Sequence, residues 1–454
     1  MMDLRKSVMK KNGPGVHREF SAEETWERVS PHILRAGVTR VADITHLDRI
    51  GLPVYNAISP RSNDIISVYN GKGFRSIDAK VSAVMEAVER FAAWLPVRPD
   101  YVATYNELVA SGHPVMHPSE YNLEVAGDYR DANPISWVWC WDLLNEERVL
   151  VPQDGAVYQP RLHEQPCYKI TTTNGLASGN SLEEAICHAL SELVERDSMT
   201  IAEVISNRLP QALKRGGLDL GVEKEQIIDE LRGRHPHVRV HSLPPRAMAL
   251  VEKYRAAGLD VRIVDITSDL GVPSFFVATA ENLGPHTSQG HGGFGTHPDA
   301  EVALVRAITE CAQGRAVDIQ AMREDITLPG TDVPKYQFHV RRSAKLDREA
   351  WAWLPASRTV DFGSIKSTPS SDIMDDVSYM LEAIKAAGLP RVLVYDLSPP
   401  HMPVAVVRII VPGLESWAVD HCRLGARSAQ AWNRAVSDVL SSRKKQELSG
   451  RGSA

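Results

Sequence analysis

Cysteine is scarce: Cys140, Cys167, Cys187, Cys311 and Cys422 are odd in number, widely spaced and never arranged as Cys-x-x-Cys. That pattern argues against a disulfide framework and a thiolate zinc site, and it fits a reducing cytoplasm. Long apolar runs are missing too. No stretch approaches the ~18 apolar residues a membrane span needs, and the basic N-terminal MMDLRKSVMKK leads into polar sequence. A soluble, cytoplasmic protein is expected, with no membrane partner. Net positive charge is also absent: 51 Lys and Arg face 57 Asp and Glu, a formal charge of −6, which gives no ground for a nucleic acid partner. What the chain does have is a composition of 43% hydrophobic and 24% charged residues over 454 positions. That is enough to bury a large core, as two or three domains or as one elaborate unit.

Residues 1–20 read as a loose basic arm, and 441–454 (SSRKKQELSGRGSA in its wider context) as a frayed polar tail. Between them, AEETWERVSPHILRAG has helical spacing, and TRVADITHLDRIGLPVYNAISP reads as strand, turn, strand. From about 201 to 280, helical EKEQIIDELRGR and RAMALVEKYRAAG alternate with strand-like VRIVDIT and SFFVATA. RVLVYDLS and VAVVRIIVP add two Val/Ile-rich strands near the end. Without a long linker, 21–440 is expected to be one integrated α+β unit with an α/β subregion at 201–280.

One helix recurs. AKVSAVMEAVERF and AICHALSELVERD align Ala79 with Ala185, Ala83 with Ala189, Glu86 with Glu192, Glu89 with Glu195 and Arg90 with Arg196. A diverged third copy, ALVRAITECAQGR, places Ala303, Ala307, Glu310 and Gln313 at the same positions. Glycine-rich NGKGFRSIDA, TTNGLASGNSLEEA and GHGGFGTHPDAE precede the three copies. They read as turns that let backbone approach a phosphate ahead of a helix N-terminus. Lys72, in Gly-Lys-Gly, is a candidate phosphate contact as readily as an exposed lysine.

At about 100° per residue, Glu86 and Glu89 are neighbours on one helix face, and Glu184, Glu192 and Glu195 share one side of another. A single Glu-x-x-Glu-Arg is ordinarily a solvated face with ion pairs. Its recurrence on alanine-lined helices, which pack closely, instead gathers carboxylates. Clustered buried carboxylates need a counter-cation, and an all-oxygen set favours Mg²⁺. GHGGFG has the look of an esterase oxyanion loop, but no Gly-x-Ser-x-Gly elbow accompanies it. His188 and His297 are assigned no ligand role.

SAVMEAVERF, TTNGLASGNSLEEAICHALSELVERD and HPDAEVALVRAITECAQGR resemble the signature segments of YcaO-domain proteins, and TRVADITHLDRIGLPV is similar to the N-terminal part of the branch associated with TfuA proteins. The resemblance spans roughly 39–415. It implies a YcaO-type ATP-binding α+β fold, with the three glycine-turn/helix segments packed on β-sheets, and activation of peptide backbone amides with ATP and Mg²⁺. It makes Glu86, Glu89, Glu184, Glu192 and Glu195 the metal ligands. Asn180, Glu184, Arg196, Glu310 and Arg315 become, with Lys72 from the Gly-Lys-Gly turn, the ATP-binding set, and no residue becomes a covalent nucleophile. Azoline-forming members commonly end in a Pro-x-Pro-x-Pro tail, whereas this sequence ends in SGRGSA. The expected product is therefore a thioamide, made on a peptide or protein substrate with a TfuA-like partner and a sulfide donor, as in ribosomal peptide natural products; a homodimer is allowed. An azoline-forming cyclodehydratase acting on Cys, Ser or Thr is the alternative. A non-catalytic leader-peptide-binding scaffold is the rival of another class, and it has no need of the glutamate set.

Overall fold

The computed structural model describes residues 2–11, 17–60, 62, 64, 66–158, 166–215, 224–282, 288–321, 356–420 and 423–451. Three sheets organise it, and each carries one copy of the repeated helix. Arg40–Asp43, Val54–Ile58 and Val68–Lys72 form an antiparallel three-stranded sheet in that order. A five-stranded sheet runs Ser288–Thr296, Ser274–Asn282, Val261–Asp265, His237–Val238, Thr359–Val360. A six-stranded sheet runs Tyr101–Ala103, Ile135–Asp142, Leu393–Asp396, Ala405–Ile410, Leu176–Gly179, with Glu147–Pro152 paired to Ile135–Asp142. The architecture is α+β.

The first repeat helix, Ser76–Ala93, packs Ala83, Val84, Ala87 and Val88 against Ala57 and Tyr69 of the three-stranded sheet. The second, Leu182–Glu203, buries Ile186, Leu190 and Val194 against Ala177, Val407 and Ile409 of the six-stranded sheet. The third, Ala300–Ala321, sets Ala303, Ala307 and Cys311 against Phe275 and Val277 of the five-stranded sheet.

The glycine-rich segments differ from the turns expected of them. Val68–Lys72, Leu176–Gly179 and Ser288–Thr296 are strands, and each is the edge of its sheet. Glycine serves helix packing there. A Cβ on Gly71 would lie 2.1 Å from both Ala79 O and Ala83 N, and one on Gly295 would lie 2.1 Å from Ala303 O and 2.7 Å from Ala307 N. Glycine on the strand and alanine on the helix are two halves of one close contact, repeated at the same spacing.

The arm expected to be loose is tied down where it is described. Val8 is buried, its N–H donates to Asp372 Oδ1 at 2.8 Å, and Ile373 N–H donates back to Val8 O at 2.8 Å. Patterning missed this because a single extended segment pairs with one helix N-terminus and shows no period. The expected tail is helical through most of its length, within Ala426–Arg451. Ala435 and Val439 anchor that helix against Ile201, Val204 and Leu231.

Candidate functional site

Edge strands expose N–H groups that no neighbouring strand can accept. Here the repeat glutamates accept them. Asn70 N–H donates to Glu86 Oε2 at 3.2 Å, and Phe294 N–H donates to Glu310 Oε1 at 3.4 Å, sixteen residues apart in both cases. On the third edge Ser178 N–H donates to Glu89 Oε2, from the first repeat helix, at 3.0 Å, and Gly175 N–H, just before that strand, donates to Glu192 Oε1 at 3.3 Å. Three helices therefore aim carboxylates at the strand edges bordering one cleft of about 440 Å³, which Glu86, Glu89, Glu192, Glu195 and Glu310 all line.

Burial dominates the electrostatics. It pushes the Glu89 carboxyl up to about 8, partly opposed by Arg90 and reinforced by Glu192 and Glu86. Burial also raises Glu86 and Glu195, with Glu192 adding repulsion to both. Cations stand among these carboxylates. Lys72 is ion-paired with Glu310, and Arg196 Nη1 lies 3.3 Å from Glu195 Oε1. Lys72 and Arg196 outweigh burial at Glu310 and hold its carboxyl below the ordinary value. His188 is kept neutral by burial and by Arg18, Arg306 and Lys72 nearby.

The donor set fits a divalent cation. Glu86, Glu89 and Glu192 each accept one strand N–H, whereas a carboxylate offers about four acceptor positions. These carboxylates line one cleft and repel one another there, the situation that an oxygen-seeking Mg²⁺ resolves. Glu86, Glu89, Glu192 and Glu195 would hold it.

Glu184 stands apart. It begins the second repeat helix behind the N-cap Ser181, and at 1.5 Å rise per residue it sits about 12 Å from Glu192 and about 16 Å from Glu195 along the axis. A shared face is not a shared ion. Asn180, whose Nδ2 donates to it at 3.2 Å, lines the cleft beside it.

Lys72, Asn180, Arg196 and Glu310 also line the cleft, but Arg315 does not. Its Nε donates to Asp48 at 2.9 Å, both side chains being buried, so it braces the third repeat helix against the loop before Val54–Ile58. Other lining residues escaped the sequence reading. Arg306, four before Glu310 on the same helical face, lies beside Glu195, and Arg90 contacts Glu89 at 3.9 Å. Helical spacing signals the first, and the Arg90–Arg196 alignment signals the second. Arg18, from the arm, carries no sequence signal.

A family model described as YcaO cyclodehydratase, ATP- and Mg²⁺-binding, matches residues 70–415. A protein of Methanothermobacter thermautotrophicus is 33% identical over 407 residues, covering 89% of this chain and 96% of its own length. A Rhizobium leguminosarum bv. trifolii protein, described as lying in the tfuA 3′ region, is 29% identical over 440 residues, covering 94% and 97%. Among solved structures, a heterocyclase in complex with substrate and cofactor is similar with a TM-score of 0.71 at 23% identity over 91% of this chain. The chain spans about half of that heterocyclase chain, 54%. YcaO from Methanopyrus kandleri bound with AMPPCP and Mg²⁺ is similar with a TM-score of 0.64 at 25% identity, covering 93% of this chain and 98% of that one.

Proposed function

The chain belongs to the YcaO family and has its α+β fold, and from that premise we propose that it activates a backbone amide of a peptide or protein by moving the γ-phosphoryl group of ATP onto the amide oxygen. The observation carrying this is the convergence of Glu86, Glu89, Glu192 and Glu195 from two repeat helices on a cleft that also holds Lys72, Arg196 and Arg306. Bound Mg²⁺ would neutralise phosphate charge there. The chain's own residues position and screen. Strand N–H groups fix the carboxylates, Arg196 and Lys72 face the phosphate end, and Asn180 with Glu184 holds the nucleoside end. No enzyme nucleophile is invoked: burial pushes the Cys187 thiol, which lines the cleft, up to about 12, so it stays protonated.

An amide oxygen is a poor leaving group, and phosphorylation makes it a good one. We take the nucleophile to be hydrosulfide supplied with a TfuA-like partner. Sulfur bonds to the carbonyl carbon, the C–O electron pair leaves with phosphate, and loss of the remaining proton gives the thioamide. The relative in the tfuA 3′ region supports this reading. The likeness to a heterocyclase favours a second one, in which a Cys, Ser or Thr of the substrate attacks and an azoline forms.

Calorimetry with Mg²⁺ and AMPPCP tests the site: Glu192→Gln is expected to abolish binding while the fold survives, and unchanged affinity would remove the assignment. Mass spectrometry of peptides and proteins from cells co-expressing the chain with a TfuA protein tests the product. Exchange of oxygen for sulfur adds about 16 Da, whereas azoline formation removes about 18 Da, as the oxygen-displacing chemistry requires.

A further inference from the structure

Residues 17–20 cross the Asn180 end of the cleft, where His17, Arg18 and Phe20 form part of its wall. Their polar contacts in the cleft centre on one carboxylate, beside a Lys11 N–H to Arg18 O hydrogen bond at 2.7 Å and a His17 ring 5.6 Å from that of His297. Glu184 Oε1 accepts from Arg18 Nη1 at 3.3 Å, from Asn180 N at 3.2 Å and from Asn180 Nδ2 at 3.2 Å. Glu184 Oε2 accepts from Glu19 N at 3.0 Å and again from Asn180 Nδ2 at 3.3 Å. With about four acceptor positions on a carboxylate, Glu184 is saturated, unlike Glu86, Glu89 and Glu192. Nothing further can bind it unless a present donor leaves.

The arm has two unequal holds. Its first part is anchored: Lys10 Nζ lies 2.5 Å from Asp376 Oδ2, both side chains are buried, and His297 Nε2 reaches the same oxygen at 3.2 Å. Breaking a buried pair strands a charge away from water, so this anchor stays. Arg18 is different. Its side chain is 40% exposed and its contact with Glu184 is long, the kind of ion pair water exchanges readily. Arg5, bridging Glu19 and Glu183, is likewise 48% exposed.

We propose that residues 17–20 are a strap gating the nucleoside end of the cleft: their donors occupy Glu184 in the nucleotide-free protein, and nucleotide must take Glu184 from them to bind. Loading therefore loosens 17–20 while 2–11 stays docked. This rests on the reading of Glu184 as a nucleotide-facing residue.

Hydrogen exchange followed by mass spectrometry, on the full chain with and without saturating AMPPCP and Mg²⁺, tests it, with calorimetry in parallel. The Glu19 amide is expected to exchange at least about tenfold faster in the loaded protein, as for an amide whose local structure opens, with peptides from 2–11 unchanged. Arg18→Ala, which removes one competing donor, is expected to tighten AMPPCP binding about two- to fivefold, the worth of an exposed ion pair. Glu19 exchange that is unchanged or slower on loading, or weaker binding by Arg18→Ala, overturns the strap alone. Absence of AMPPCP binding to the unmodified protein overturns the nucleotide reading and the strap with it.

Discussion

Glu89 is 8% exposed, and burial pushes its carboxyl from the ordinary 4.5 to about 8. Below about pH 4.5 it is neutral in the folded and unfolded chain alike, and the environment costs nothing. Above that value the unfolded chain ionises first, so stability is lost as pH rises from about 4.5 through about 8. One group differing fully in protonation contributes a slope of about 1.4 kcal/mol per pH unit, up to about 5 kcal/mol across the whole window. Urea unfolding at pH 6, 7 and 8, in chelator at fixed ionic strength, should show the unmodified protein weakening steadily. Glu89→Gln removes the titration while its amide oxygen still accepts the Ser178 N–H, so the slope should flatten. Glu86 and Glu195 are raised by the same burial, which leaves a residual slope, and the difference between the two proteins isolates Glu89. Mg²⁺ binds the ionised form and releases that proton, so the metal should stabilise the unmodified protein more at pH 8 than at pH 6. Equal pH slopes for protein and variant would refute the reasoning.

Gly295→Ala places a Cβ 2.1 Å from Ala303 O; strand and third repeat helix must part, at about 1–3 kcal/mol or more for an overpacked contact, and Mg²⁺–AMPPCP binding should weaken because Glu310 moves with the helix. Urea unfolding and calorimetry check it, and a variant with unchanged stability would show that the helix does not need the glycine. Arg315→Gln leaves Asp48, whose side chain is 5% exposed, without its cation, a loss of about 3–5 kcal/mol. The variant still folded should bind AMPPCP as the unmodified protein does, since Arg315 lies outside the cleft; a loss of affinity would return it to the site.

The carboxylates were legible because helical spacing is a one-dimensional signal. The offsets placing Glu86 beside Glu89, and Glu192 beside Glu195, survive folding unchanged. So did the strands Val261–Asp265, Ser274–Asn282 and Ala405–Ile410, which are apolar on terms a β-sheet requires. The glycine segments misled for a physical reason. Glycine permits close approach by any partner, and sequence does not say whether the partner is a phosphate or, as at Gly71 and Gly295, the backbone of the next helix. At Glu184 angular arithmetic leaves out the rise, which sets it about 12 Å and about 16 Å along the axis from Glu192 and Glu195. Arg315 misled because its helix has two faces, and it turns to Asp48. Arg18 was beyond reach, since its place depends on Lys10, Asp372 and Asp376, hundreds of residues apart in the chain.

The repeat also joins stability to loading. Glu86, Glu89, Glu192 and Glu310 close the open edges of three sheets through Asn70, Ser178, Gly175 and Phe294. The same side chains repel one another across the cleft. In the metal-free protein these two roles conflict, because the ionised form accepts the strand N–H best and is also the form that burial and neighbours disfavour. A divalent cation removes the conflict: it stabilises the ionised carboxylates without displacing the strand donors, since each carboxylate has acceptor positions left over. Metal binding is then expected to tighten the docking of the sheet–helix units as well as to prepare the phosphate end, by mass action on the folded state. Glu184 follows the opposite logic. Its positions are full, so its end of the cleft changes on loading by exchanging donors, and the strap is the donor free to leave.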